Sequence, residues 1–186
     1  MWPVLWAVVA GFVILLYVRT VGYGLYLDDQ HHARPWTARE VLGTFHGPFD
    51  PLGIEPIYYR PLVVVTFAAD WAVWGYRASG YHVTNIALHT IAAVAVLELL
   101  RRTGVRWWAA LAGALLFAAI PANVATVVYI SERSDAMVAI FTIAGMLCLH
   151  RYSRDRRWRW LILLDLCFVL AVGSKEVGIA MLLTAG

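Results

Sequence analysis

Long apolar blocks, broken by short clusters of charge, constrain this chain more than any other feature. They recur from Trp2 to the final residues. Apolar residues fill 61% of the 186 positions, against roughly 45–50% in a soluble domain. The excess comes in runs, and some runs approach the 20 or so residues that a helix needs to cross a bilayer. The chain therefore reads as all-α, a polytopic transmembrane helical bundle of about six spans.

The first span is expected at residues 2–18, with Trp2 and Trp6 suited to an interface and Pro3 tolerated in a first turn. It lacks a basic leader and a small-residue cleavage site, so it reads as a retained helix. Residues 19–80 form a long polar-rich first loop, and residues 81–186 hold the remaining spans of a single transmembrane module. Within the loop, Thr37-Ala38-Arg39-Glu40 has capping-box spacing and predicts a short helix to Phe45. The stretch 46–53 is turn-forming. Pro61 suits the start of a helix over 61–74 that is too short to span and carries Asp70, Trp71 and Trp74, hence a juxtamembrane or re-entrant helix. Further spans are expected at 81–100, 107–120, 135–149 and 160–172, with a loop at 121–134. The last apolar run is about ten residues long, too short to cross. The expectation is an N-terminal part of a longer protein, truncated at its C-terminus.

Charge sets the orientation. Arg101, Arg102 and Arg106 follow the second span, and Arg151, Arg154, Arg156, Arg157 and Arg159 follow the fourth. These two loops share a side, and the positive-inside rule makes it cytoplasmic, with the N-terminus. The first loop, the stretch Glu132-Arg133-Ser134-Asp135 and Lys175-Glu176 then share the extracytoplasmic side. Composition points to a bacterial inner membrane.

The residues that carry chemistry gather on that outer side. Asp28 and Asp29 leave the first span as an adjacent acid pair. They are a hydrated loop, a general base with its neighbour, or part of a divalent-cation site with His31 and His32; four contiguous ligands point in different directions, which weakens the last. Arg60 meets lipid phosphates or carbonyls, or holds a substrate phosphate. His82, Asn85 and His89 share one helix face; His89 reads as an interhelical hydrogen bond, whereas His82 and Asn85 sit near the outer end and line a cleft or join the packing. Glu132, Arg133, Asp135, Lys175 and Glu176 are ion pairs and caps singly, and a polar cleft together. Asp165 within the fifth span reads as an ion pair with Arg157 or Arg159, and Glu98 as one with Arg101 and Arg102. Cys148 and Cys167 read as buried thiols. There is no Walker loop, dinucleotide fingerprint, H-E-x-x-H or nucleophile elbow, and nothing suggests nucleic-acid binding.

In order along the chain stand Asp28-Asp29, then Tyr59-Arg60-Pro61-Leu62, then Gly80-Tyr81-His82-Val83-Thr84-Asn85 with Leu88-His89, then Arg133-Ser134-Asp135 and Ser174-Lys175-Glu176. This order resembles the N-terminal membrane module of GT-C glycosyltransferases, and most of all the bacterial relatives of the transmembrane O-mannosyltransferases with tetratricopeptide repeats. The resemblance implies a sugar donor carried on a polyprenyl or dolichyl phosphate, a protein or glycan acceptor, and transfer with inversion. It makes Asp28 the general base and Asp29 its support, or a metal ligand where a metal is used. Arg60, Arg133 and Lys175 become cations facing the lipid phosphate. Two places depart from the pattern: Ile120-Pro121 stands where His-Pro is common, and Glu132 where Gly is common. A non-catalytic membrane scaffold is the alternative expectation. A small transporter using Asp165 and the His82, Asn85, His89 stripe is the third.

Overall fold

The computed structural model describes residues 1–26, 28–47 and 58–184. Among these the regular structure is helical. Three helical stretches are long and apolar enough to cross a membrane: Trp2–Gly22, Ala78–Arg102 and Ile130–Asp155. A fourth is a bent pair, Trp107–Ala119 with Pro121–Val128, broken by 51°. Only 28–33% of each long span's apolar window is buried inside the molecule. Apolar surface on that scale needs lipid around it, so the chain is an integral membrane protein.

Helix α1 (Trp2–Tyr17) starts with proline in its first turn and buries Leu5, Val9, Val13 and Tyr17, a stripe at helical spacing. A 3₁₀ turn, Val18–Gly22, continues it. Two short helices follow, α2 (Asp29–His32) and α3 (Ala38–Gly43). The expected capping box starts α3: the Thr37 hydroxyl accepts from the Glu40 amide while the Glu40 carboxylate accepts from the Thr37 amide at 2.7 Å. The turn-forming stretch continues past Gly47 into residues 48–53, outside the described residues.

Helix α5 (Ala78–Arg102) is the centre of the bundle, packed against α1, α6 (Trp107–Ala119) and α8 (Arg133–Asp155). The buried face of α6 is Ala110, Ala114 and Ala118, small residues that let helices approach closely. The Tyr17 hydroxyl donates to the Ala118 carbonyl at 2.9 Å, and His89 Nε2 meets the same carbonyl at 3.2 Å, the interhelical contact expected of it. Glu98 holds Arg101 and Arg102, as expected.

The helices alternate in direction, so the molecule has two unlike ends. One gathers Trp2, Arg101, Arg106 and the Arg151–Arg159 cluster; the Arg101 guanidinium lies 5.4 Å from the Trp2 ring. Helix α9 (Arg159–Ser174) starts here, where Trp160 Nε1 donates to Asp155 at 2.9 Å. It returns along α8 until Lys175 reaches Asp135 at 2.7 Å, so its sixteen residues accompany most of α8. The opposite end is polar.

Helix α4 (Pro61–Trp74) lies across that polar end. Its first turn packs on Gly173, its Asp70 meets Arg133, and its last residue, Trp74, covers Gly80. All three partners belong to one end of the bundle, which is why this mostly apolar fourteen-residue segment forms a juxtamembrane helix and not a span.

Three expectations change. The stretch 121–134 is not a plain loop: it holds a 3₁₀ turn (Pro121–Asn123), the helix α7 (Val124–Val128) and a second 3₁₀ turn (Ile130–Glu132). Pro121 breaks the ladder, and the apolar run Val124 to Val128 then restarts a helix. The sixth span is a nine-residue 3₁₀ helix, Glu176–Thr184. Among the described residues three helices are long and apolar enough to cross, or four with the bent pair, against about six expected; α9, at sixteen residues, still runs from the basic end to the polar end. Asp165 makes no pair with Arg157 or Arg159; Arg157 turns to Asp155 at 3.9 Å and Arg159 lies over Trp160. Cys148 and Cys167 are half-buried.

Candidate active site at the polar end

Asp28, the N-cap of α2, and Asp29, its first residue, both have helical backbone, and consecutive side chains on such backbone leave about 100° apart. Asp29 is buried, 1% exposed. One of its oxygens accepts from the Ser131 amide at 2.9 Å and the other from the Tyr26 amide at 3.2 Å. Asp28 precedes α2 with its side chain exposed and makes no capping bond. One acid is fastened to the fold and its neighbour is offered outward. His31 is exposed, while His32 is buried and stacked on Phe67 with ring centroids 4.4 Å apart.

Phe67 also carries the Arg133 guanidinium, 4.3 Å from its centroid. Arg133 is fully buried. It pairs with Asp70 at 2.6 Å, donates to Thr66 Oγ1 at 3.3 Å and donates from Nε to the Ile130 carbonyl at 3.3 Å. Thr84 donates to the other Asp70 oxygen at 2.7 Å. A buried charge is tolerated where it is paired and hydrogen-bonded, and Asp70 supplies that pairing. The consequence reaches the candidate site: Arg133 grips Ile130, and the next amide, Ser131, grips Asp29. Asp70 was not among the site candidates. The signal for it was a lone acid in an otherwise apolar helix, matched by an arginine at the start of a span.

A second group of charges lies on the same end. Lys175, just past the C-terminus of α9, donates to Asp135 and stands 3.7 Å from Glu132. A cation at a helix C-terminus and an acid in the first turn of α8 both sit well in the helix fields. Glu176 accepts from the Tyr59 amide at 2.9 Å and stands 3.6 Å from Arg60, whose guanidinium lies 4.5 Å from the Tyr58 ring. Arg60 and Lys175 are the more covered partners, at 13% and 22% exposure; Glu132, Asp135 and Glu176 are each above 40%. Ser131, which holds Asp29, directly precedes Glu132, so the chain itself links the acid pair to the cation cluster.

His82 and Asn85 lie inside the bundle, each 1% exposed. The Asn85 amide donates to the carbonyls of Thr126 and Tyr129 at 3.3 and 3.0 Å, tying α5 to the α7 region. The His82 ring meets Tyr23 edge-on. Among the described residues no three His, Cys, Asp or Glu converge in a way that would hold a metal ion. Asp29 turns its oxygens to two backbone amides while Asp28 and His31 are exposed, so the described residues do not gather Asp28, Asp29 and His31 around one ion.

The arrangement provides an exposed carboxylate next to an anchored one, and two mostly covered cations held by acids that water can reach. It suits removal of a proton at Asp28 and neutralisation of an anion beside Lys175 and Arg60.

Comparison with known proteins gives the family. Residues 61–186 match the family described as dolichyl-phosphate-mannose-protein mannosyltransferase. The protein O-mannosyl-transferase Tmtc1 of Drosophila melanogaster is 28% identical over 95% of this chain and 22% of its own length. Human protein O-mannosyl-transferase TMTC2 is 31% identical over 91% of this chain and 22% of its own length. Human TMTC4 is 28% identical over 84% of the chain and again 22% of its own length. The chain thus spans about a fifth of the relatives it matches. No solved structure matches it. The chain belongs to the dolichyl-phosphate-mannose-protein mannosyltransferase family.

Proposed function

We propose that the polar end is the reaction face of an integral membrane mannosyltransferase, whose donor is mannose on a polyprenyl or dolichyl phosphate and whose acceptor is a protein hydroxyl. The observation that carries this reading is the pairing of exposed Asp28 with anchored Asp29 at the bundle end that also holds Lys175 and Arg60. The family match and the names of the relatives support it. In this reading the basic, tryptophan-rich end faces the cytoplasm and the reaction face is extracytoplasmic.

Asp28 takes the proton of the acceptor hydroxyl. The freed oxygen attacks the anomeric carbon from the face opposite the lipid phosphate. The new C–O bond forms as the bond to the phosphate oxygen breaks, and its electron pair leaves with the lipid phosphate. Configuration inverts. Lys175 and Arg60 meet the charge that develops on the departing phosphate, exchanging their resting contacts with Asp135, Glu132 and Glu176 for it. Asp29 fixes the start of α2 and so aims Asp28. Arg133, read from the resemblance as a third phosphate contact, instead supports the turn that holds Asp29; its burial against Asp70 supports this reassignment. His82 and Asn85 form the floor beneath the face. No step passes through a metal.

The test is donor choice. The protein is expressed in its own cells, and isolated membranes receive mannose on a lipid phosphate or on a nucleotide. Transfer to protein from the lipid carrier alone is expected. Transfer from the nucleotide with the lipid pool removed contradicts the donor assignment. No chain-dependent transfer from either donor turns the reading to a membrane scaffold.

A further inference from the structure

Asp165 stands inside α9, six residues past its start at Arg159, or about 9 Å along the axis. Its side chain is exposed. The residues around it on that face, Ile162, Leu166 and Val169, are exposed at 52, 50 and 62%. Helix α9 runs beside the crossing helix α8, meeting Asp155 at one end and Asp135 at the other, so this face lies at the depth of lipid. A carboxylate on a short stem cannot reach an interface about 9 Å away, as a lysine or arginine can.

The chain has fifteen lysines and arginines, and all of them lie among the described residues. None pairs with Asp165. The nearest in sequence are engaged elsewhere, Arg157 with Asp155 and Arg159 over Trp160. Residues 27, 48–57, 185 and 186 contain no lysine, arginine or histidine, so none of them supplies a cation either. Ionisable groups within spans face a partner or a polar cavity, because lipid solvates them so poorly.

We infer that this face of α9 docks a transmembrane helix from outside these 186 residues, one that carries a lysine or arginine level with Asp165. Charge complementarity selects the occupant: the face is apolar except for one acid, and one cation at matching depth neutralises it. The flanking Ile162, Leu166 and Val169 supply the packing. A second copy of this chain fits less well, because symmetric contact through the face brings two acids together and leaves the arginines at the basic end. The inference does not depend on the transfer chemistry.

The test uses the chain in lipid bilayers with two fluorescent leucine-rich transmembrane peptides, one with a single central lysine and one without. Energy transfer reads their association with a labelled chain. The lysine peptide is expected to bind the wild type about tenfold more tightly than its leucine twin. That preference should vanish in Asp165→Leu and fall sharply in Asp165→Asn, which keeps the shape and removes the charge. Both variants alter an exposed position, and unchanged melting shows that they fold. Equal binding of the two peptides to the wild type overturns the inference, as does a lysine preference that survives Asp165→Leu. Asp165-dependent self-association without any lysine preference also overturns it and assigns the face to a second copy.

Discussion

At the scale of residues, two neighbouring aspartates have different work because their partners differ. Asp29 holds two backbone amides, one 3 positions away and one 102 positions away. Replacing it with alanine leaves those amides without their acceptor and should cost about 1–3 kcal/mol of stability, seen as a lower melting temperature in detergent. The buried Asp70–Arg133 pair gives a sharper test. Arg133→Leu strands a buried acid and should destabilise by about 3–5 kcal/mol, while the double change Asp70→Leu with Arg133→Leu should recover much of that loss. A double variant no better than the single one would deny that the pair is the source. Asp28, Asp29, Lys175 and Glu176 were legible as polar residues of one end because they stand out at the ends of apolar blocks. The role of Arg133 was not, because pairing with Asp70 joins positions 63 residues apart, and no local pattern records it. Asp165 misled for the same reason: closeness in sequence to Arg157 and Arg159 was not closeness in space.

At the scale of elements, local chemistry was readable wherever it closed on itself. The Thr37–Glu40 capping box is one case. The Thr37 hydroxyl and amide, helped by Arg34, hold the Glu40 carboxyl down to about 2 from its ordinary 4.5. A lowered folded value means that the stabilisation by Glu40 is fully present above pH 4.5 and is lost as the pH falls towards about 2. An NMR titration of Glu40 should show that low midpoint, and Thr37→Val should raise it towards 4.5. A wild-type midpoint at 4.5 would contradict the box. The seating of α4 is the opposite case, since it depends on a contact between elements. A Cβ at Gly80 would lie 2.2 Å from Trp74 Cγ. Gly80→Ala should therefore cost about 1–3 kcal/mol by overpacking, and far less when Trp74→Ala has already opened the space. Helix α7 escaped the sequence reading because Pro121 marks a break without saying that helix resumes three residues later.

At the scale of the whole molecule, alternation of helix direction separates a basic, tryptophan-rich end from a polar one. Parity counting along the sequence anticipated which residues share an end, since each crossing reverses the side and the arginine clusters mark one of them. It did not anticipate how many blocks are full crossings. An apolar run is compatible with a span, with the shorter α9 or with a 3₁₀ segment, and packing decides among them. The separation of the ends is what allows one exposed carboxylate to stand with two cations away from the arginine-rich end. The most direct measurement of the central claim is mannose transfer from a lipid-phosphate donor in membranes holding equal amounts of folded wild type and Asp28→Asn. The account predicts a loss of about 10²-fold or more in the variant, with its melting temperature unchanged. Transfer at the wild-type rate in Asp28→Asn would contradict it and remove that carboxylate from the chemistry.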